Sequence, residues 1–233
     1  MRFQAFVFNW PGAKQHADEL VAALAPLCPT VVVNSDDARR VDRPGWIHLG
    51  DDAWFTRQWN EALARFDADV LFHVQADAWH DDFPALLRAC ESWMGRGAGV
   101  YAPDVDWTTH RYDRTRLHAL GPRVFEVPNP DCTCWAIRAE VLRACPSVDP
   151  RRNRFGWGID YLVCATARSL GLAVVRDYEF QVRHLKGMGY DAKGARKEFR
   201  HLLRGLPRAL RAEVEALVER RKECLARGGP GSA

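Results

Sequence analysis

No window of this 233-residue chain approaches the ~18 consecutive apolar residues that a membrane-spanning helix needs. The opening "MRFQAFVFNWPG" holds a short apolar stretch that meets Asn9, Trp10 and Pro11 at once, too short for a secretory leader. The seven cysteines are an odd number and include no Cys-x-x-Cys pair. Cys132 and Cys134 stand too close for a routine bridge, so reduced thiols are expected. No repeat or low-complexity block precedes the closing "GGPGSA" (228–233), which reads as a disordered tail. The net charge is only +3, too small by itself to argue for nucleic acid. The basic end of the chain also has a single aromatic, Phe199, on which a base could stack. These absences together lead to the expectation of a cytoplasmic protein, at most peripheral to the inner face of a membrane.

What is present suits one substantial core. Hydrophobic residues make up 47% of the chain, and its length favours a single large α/β domain. Short β-rich runs ("FQAFVF", "TVVVNSDD", "WIHL", "DVLFHVQAD", "GVYAP") alternate with helix-period stretches ("HADELVAALAPLC", "WFTRQWNEALARF", "DDFPALLRACESW"). Asp81 or Asp82 with Pro84 marks the start of the third helix. That alternation is the doubly wound pattern, in which ligands gather beyond the carboxyl ends of the strands. Three such ends turn polar: Asn9, the Asn34–Asp37 group, and Asp77.

Charge is unevenly spread. From Lys193 onward eleven basic residues stand against five acidic ones, about +6 there and about −3 elsewhere. Over "RKEFRHLLRGLPRALR" one helical side carries Phe199, Leu202, Leu203, Leu206 and Leu210, and the other carries Arg196, Arg200, Arg204, Arg208 and Arg211. Gly205 and Pro207 are expected to split it into two helices. Two fates are open to the leucines: an anionic bilayer surface, or packing back onto the domain.

Three residue groups bear chemistry. Asp77 ends a buried strand, where an acid can hold a divalent cation or a sugar hydroxyl. One carboxylate is a poor metal site, and His184, ending another apolar run, is a second ligand type suited to manganese. "FGWGIDYLVCATARSLG" places Trp157 between two glycines and Asp160 at the mouth of a helix. The indole offers a flat face for a sugar ring. Asp160 reads alone as a helix cap, and beside the aromatic turn as a general base.

These segments resemble the inverting GT-A glycosyltransferases that use nucleotide-sugar donors, over about residues 3–190. "VVVNSDD" is similar to the nucleotide-binding second strand, and "RQWNEAL" to a helix with an asparagine near the donor. "LFHVQADAW" is similar to the Asp-x-Asp metal strand, "FGWGIDY" to the Gly-Trp-Gly-x-acid segment, and "VRHLKGMGY" to the late strand whose histidine completes the metal site. The resemblance implies a GT-A, Rossmann-like α/β fold with a mixed sheet flanked by helices and a C-terminal helical extension. Its implied boundaries are a catalytic domain at 1–191, a basic helical extension at 192–227 and the tail. It implies nucleotide binding by Asn9, Asn34, Asp36, Asn60, Gln75 and Asp77, and acceptor binding by Trp157 and Gly158. It further implies a Mn2+ or Mg2+ ion on Asp77 and His184, with Asp160 as the base. The donor implied is a nucleotide sugar, UDP-linked first, and the acceptor a glycan or lipid-linked glycan. Gln75 departs from the pattern, standing where the first acid of Asp-x-Asp would be. Lys186 is an alternative counter-charge for the leaving diphosphate. The rival readings are an inactive nucleotide-sugar-binding relative and a sugar-phosphate nucleotidyltransferase.

Overall fold

The computed structural model describes residues 1–106, 115–185 and 191–227. Lys186 and the tail 228–233 lie outside the described residues.

The first half winds as read. β1 (Phe3–Asn9) leads through α1 (Lys14–Leu24) to β2 (Thr30–Asn34), then β3 (Trp46–His48), α2 (Phe55–Arg65) and β4 (Val70–Gln75). β1 pairs in parallel with β2 and β4, and β2 with β3. α3 (Phe83–Gly95) opens on Asp82, whose carboxylate accepts the Ala85 N–H at 2.8 Å, with Pro84 in its first turn. β6 (Ala98–Val105) follows α3, and a two-residue strand, β5 (Ala78–Trp79), precedes it.

The second half makes the sheet mixed. β7 (His118–Ala119) and β8 (Val124–Glu126) form a small antiparallel ribbon. β9 (Cys134–Arg138) inserts antiparallel between β4 and β6. α4 (Ala139–Ala144) and α5 (Ile159–Ser169) lead to β10 (Ala173–His184), which lies parallel to β6 and antiparallel to β8 and β5. The order is β3-β2-β1-β4-β9-β6-β10-β8-β7.

The period of two along β1 builds both cores. Ala5 and Val7 face α1 and α3, whereas Phe6 and Phe8 face α2 and α5. β4 does the same, sending Val70, Phe72 and Val74 to the first layer and Leu71 to the second.

α6 (Ala192–Gly205) and α7 (Arg208–Ala226) meet at a break that contains Leu206 and Pro207. Leu206, Val214 and Leu217 are buried in the same core as α5, with Phe199, Leu202, Leu203 and Leu210 packed against it. The apolar face that could have met a bilayer is therefore occupied by the domain itself. Arg196, Arg200, Arg204 and Arg208 are exposed on the outer side. No helix among the described residues is long and apolar enough to cross a membrane.

One core residue is out of keeping with its place. His73 of β4 is fully buried, its ring 4.2 Å from Phe8 and 5.7 Å from Phe55, centroid to centroid. Burial drives its pKa from 6.5 down to about 3, so it is neutral in the folded state. The unfolded chain therefore binds the proton more tightly, and stability falls as the pH drops from 6.5 toward about 3. His73 should cost about 2 kcal/mol of stability between pH 7.5 and pH 5. Urea unfolding of His73→Leu at those two pH values should show a pH loss smaller by that amount.

Candidate active site

The carboxyl ends of β1 and β2 are knitted by amides. Asn9 Nδ2 donates to Asn34 Oδ1 at 2.7 Å, which also accepts the Asp36 N–H at 3.0 Å. Asn34 Nδ2 reaches Arg39 O at 3.3 Å and His48 Nδ1 at 3.2 Å. Asp36 accepts from the Gly12 N–H at 3.3 Å, drawing the β1–α1 loop to the end of β2. Asn9, Asn34 and Asp36 are buried together, so the structure brings these three sequence candidates to one edge.

Asn60 does not join them. Its amide donates to Val148 O at 2.9 Å, on the loop between α4 and α5. Gln58 reaches the strand ends instead, donating to Asn9 O at 2.9 Å, Val33 O at 3.1 Å and Ser35 Oγ at 3.3 Å. Two residues along a helix turn the side chain through roughly 200°, so Gln58 and Asn60 must serve opposite faces. Helical spacing was the signal that could have chosen between them.

Asp77 and His184 do meet. Asp77 Oδ2 lies 3.4 Å from His184 Nε2, and the Asp77 carbonyl accepts the Leu185 N–H at 2.8 Å. β5 pairs with the end of β10 at His184↔Ala78, which fixes this approach. Asp77 is 3% exposed, and its Oδ1 is buried with no hydrogen-bond partner among the described residues. The His184 N–H donates to Asp106 Oδ1 at 2.9 Å. Among the described residues no group of three or more His, Cys, Asp or Glu gathers as a metal cage. The oxygen and imidazole nitrogen nonetheless fit a hard or borderline divalent ion that takes its other ligands from phosphate oxygens. Gln75 ends β4 beside them, its N–H bound to Thr133 O at 2.9 Å.

The Gly-Trp-Gly turn is built for packing as much as for display. Gly156 and Gly158 have φ of 78° and 91°, a conformation glycine adopts freely. A Cβ on Gly156 would come within 2.4 Å of Phe55, and one on Gly158 within 2.2 Å of Phe199. Gly158 is thus buried under α6, and its contact is Phe199 rather than open space. Asn153 staples the turn, accepting the Gly156 N–H and donating to Trp157 O, both at 2.9 Å. Glu198 of α6 accepts the Phe155 N–H at 2.9 Å. Trp157 is half-buried.

Gly158, not Asp160, is the N-cap of α5. Asp160 sits in the first turn, where the helix dipole favours a negative charge. It is 9% exposed, and Asn129 Nδ2 donates to its Oδ2 at 2.5 Å. Burial raises the Asp160 carboxyl above its ordinary range. The Asn129 amide, the Tyr161 N–H and the Arg221 charge oppose that rise, and Asp131 adds to it. Burial also pushes the Tyr161 phenol up to about 12, with Arg221 of α7 acting against it. Gln58, Asn129, Asn153, Glu198 and Arg221 escaped the sequence reading. Only Asn129, set between two prolines, carried a local signal.

No family model matches the chain, and no curated protein matches it in sequence. Solved structures do. S. aureus TarS 1–349 in complex with UDP-GlcNAc superposes with a TM-score of 0.59 at 13% identity, over 96% of this chain and 73% of that one. The mannosyltransferase PcManGT from Pyrobaculum calidifontis, in complex with GDP-Man and Mn2+, gives 0.57 at 13% identity, over 97% and 74%. The chain has the GT-A fold. A UDP-glucose pyrophosphorylase complexed with UDP-glucose shares the layout less closely, at 0.53 and 8% identity over 88% of this chain and 100% of that one.

Gly158→Ala should lower stability by about 2 kcal/mol or more, from left-handed backbone strain together with the clash on Phe199. Thermal unfolding of Gly158→Ala, Phe199→Ala and the double variant should reveal coupling. Removing the ring first should reduce the cost of the added methyl.

Proposed function

We propose that this protein transfers a sugar from a nucleotide-diphosphate sugar to a hydroxyl of a glycan or lipid-linked glycan, with inversion at the anomeric carbon. The observation that carries the reading is the Asp77 carboxylate, buried with one oxygen unpartnered among the described residues, meeting His184 at the carboxyl edge of a GT-A sheet. In this reading Asn9, Asn34 and Asp36 shape the nucleotide end of that edge, with a UDP-sugar as the first donor to test. Gln75, at the end of β4, would contact the nucleotide from there. Asp77 and His184 would hold a Mn2+ or Mg2+ ion, which when bound neutralises charge on the diphosphate. Trp157 is the platform for the acceptor ring.

The chemistry asked of the chain is one proton transfer and one displacement. Asp160 accepts the proton of the acceptor hydroxyl as its oxygen attacks the anomeric carbon. The bond from that carbon to the diphosphate oxygen breaks, and the nucleoside diphosphate leaves with the electron pair. A carboxyl raised by burial is the stronger base for this step once ionised.

The pyrophosphorylase likeness favours a second reading, a nucleotidyltransferase, on fold alone. The loop after β1, "NWPGAKQ", has one glycine and one lysine, thin provision for cradling a triphosphate. A screen of UDP- and GDP-sugars by thermal shift, with and without Mn2+, tests both readings, because the preferred donor raises the melting temperature by mass action. Stabilisation by a nucleoside triphosphate but by no nucleotide sugar would favour the nucleotidyltransferase. Nucleotide-sugar binding without turnover would favour an inactive relative.

Two substitutions separate the roles. Asp77→Ala should weaken UDP binding and abolish any Mn2+ enhancement of it in calorimetry. Full activity of the unaltered protein in excess chelator would remove the metal role. Asp160→Asn should keep nucleotide affinity while turnover falls about 10²–10⁴-fold. Near-unaltered turnover would remove the base assignment.

A further inference from the structure

We propose that Asn129 is the positioning residue of the candidate base: its side-chain amide fixes one carboxylate oxygen of Asp160 and favours the carboxylate over the acid. The inference rests on the reading of Asp160 as the proton acceptor, and it adds a residue that no motif announces.

The geometry is direct. Asn129 Nδ2 lies 2.5 Å from Asp160 Oδ2, and both residues are buried. The amide orientation follows from the partner, because the opposite flip would set two acceptor oxygens against each other. An N–H donated to a carboxylate is a charge-assisted bond, stronger than one between neutral groups. It stabilises the ionised form, and loses most of its worth when the acid is protonated.

The mounting of Asn129 fits a positioning role. Pro128 and Pro130 flank it, and both fix their own φ while restricting the residue before them. Upstream, the Val127 N–H is bound to Val174 O of β10 at 3.0 Å. Downstream, Asp131 accepts from Thr133 N–H at 2.9 Å and from its hydroxyl at 2.6 Å, closing a tight turn into β9. The segment is thus tied at both ends, and the amide reaches Asp160 with little freedom left to lose. The other end of the same amide, Oδ1, is buried with no hydrogen-bond partner among the described residues. Burying an unmatched carbonyl is unfavourable for the fold, so the site keeps Asn129 at a cost in stability.

The other groups near Asp160 come from three elements. Asp131 of the same loop opposes its ionisation, and Arg221 of α7 supports it. Tyr161 and Cys164 lie on α5 itself, and Cys132 follows Asp131. Asn129 is a neutral side chain that donates to the carboxylate, so its removal leaves every formal charge in place.

The test is a 13C-carboxyl NMR titration of the full chain labelled at aspartate, with the Asp160 resonance assigned by its absence in Asp160→Asn. In Asn129→Ala the Asp160 midpoint should rise by about one pH unit, a tenfold change in proton affinity. The affinity for UDP in calorimetry should stay within about twofold, since the amide faces α5 and not the Asn9–Asn34 edge. If Asn129→Ala does not fold, Asn129→Ser, whose hydroxyl is too short to span the gap, is titrated in its place with the same expected shift. A midpoint unmoved in a folded variant overturns the proposal. Should Asp160→Asn lose turnover while that midpoint stays put, the base reading stands and the role of Asn129 falls. Should Asp160→Asn turn over normally, the base reading falls and takes this inference with it.

Discussion

Two rings pressed onto two glycines set the arrangement of the second half of this molecule. Phe55 lies against Gly156 and Phe199 against Gly158, each so close that a single methyl group could not be added. The first contact joins α2 to the turn, and the second joins α6 to it. Because Gly158 is also the cap of α5, the start of that helix is held from both sides. The place of Asp160, two residues further on in the first turn of α5, is a consequence of this packing. So is the position of α7, whose Val214 and Leu217 are buried in the core that α5 helps to build.

Asp77 and Asp160 stand in unlike surroundings. Asp77 faces an imidazole and, among the described residues, keeps an unmatched oxygen at the sheet edge. Asp160 is enclosed, and is met by an amide and a guanidinium. The first setting suits a cation and phosphate oxygens. The second suits a proton that must be taken up at one moment and released at another. Under the proposed function, such unlike environments would let two identical side chains carry separate tasks.

Long elements were legible because their signals are local. Alternation in "FQAFVF", the apolar run of "DVLFHVQAD" and the Asp82–Pro84 start of α3 all specify their element without help from distant chain. The two-residue strands β5 and β7 were not legible, since two residues carry no period. The polar strand ends Asn9, Asn34 and Asp36 came together as the doubly wound pattern implies. The Asn60 assignment followed a motif and not a helical face, and Gln58 sits where that face points. The two glycines around Trp157 are visible in the sequence, but the constraint that needs them, the approach of Phe55 and Phe199 from distant parts of the chain, is not. The leucines of α6 and α7 illustrate the same limit. Amphipathicity shows that a face must be covered, and only the tertiary structure shows that the domain covers it.

β10 is the strand on which closure of the sheet depends, since it bonds to β5, β6 and β8 alike. It is also late in the chain, and its parallel pairing with β6 closes a long loop. Such pairings form slowly, because the entropy of closing the loop must be lost before the strand contacts are gained. β1, β2 and β4 can pair earlier, through short crossovers. His184 is the last residue of β10. The Asp77–His184 pair therefore cannot exist in a chain whose first half alone has folded. A divalent ion that needs both residues has nothing to bind until the final strand docks, so it would act as a latch on the finished sheet and not as a template for its assembly.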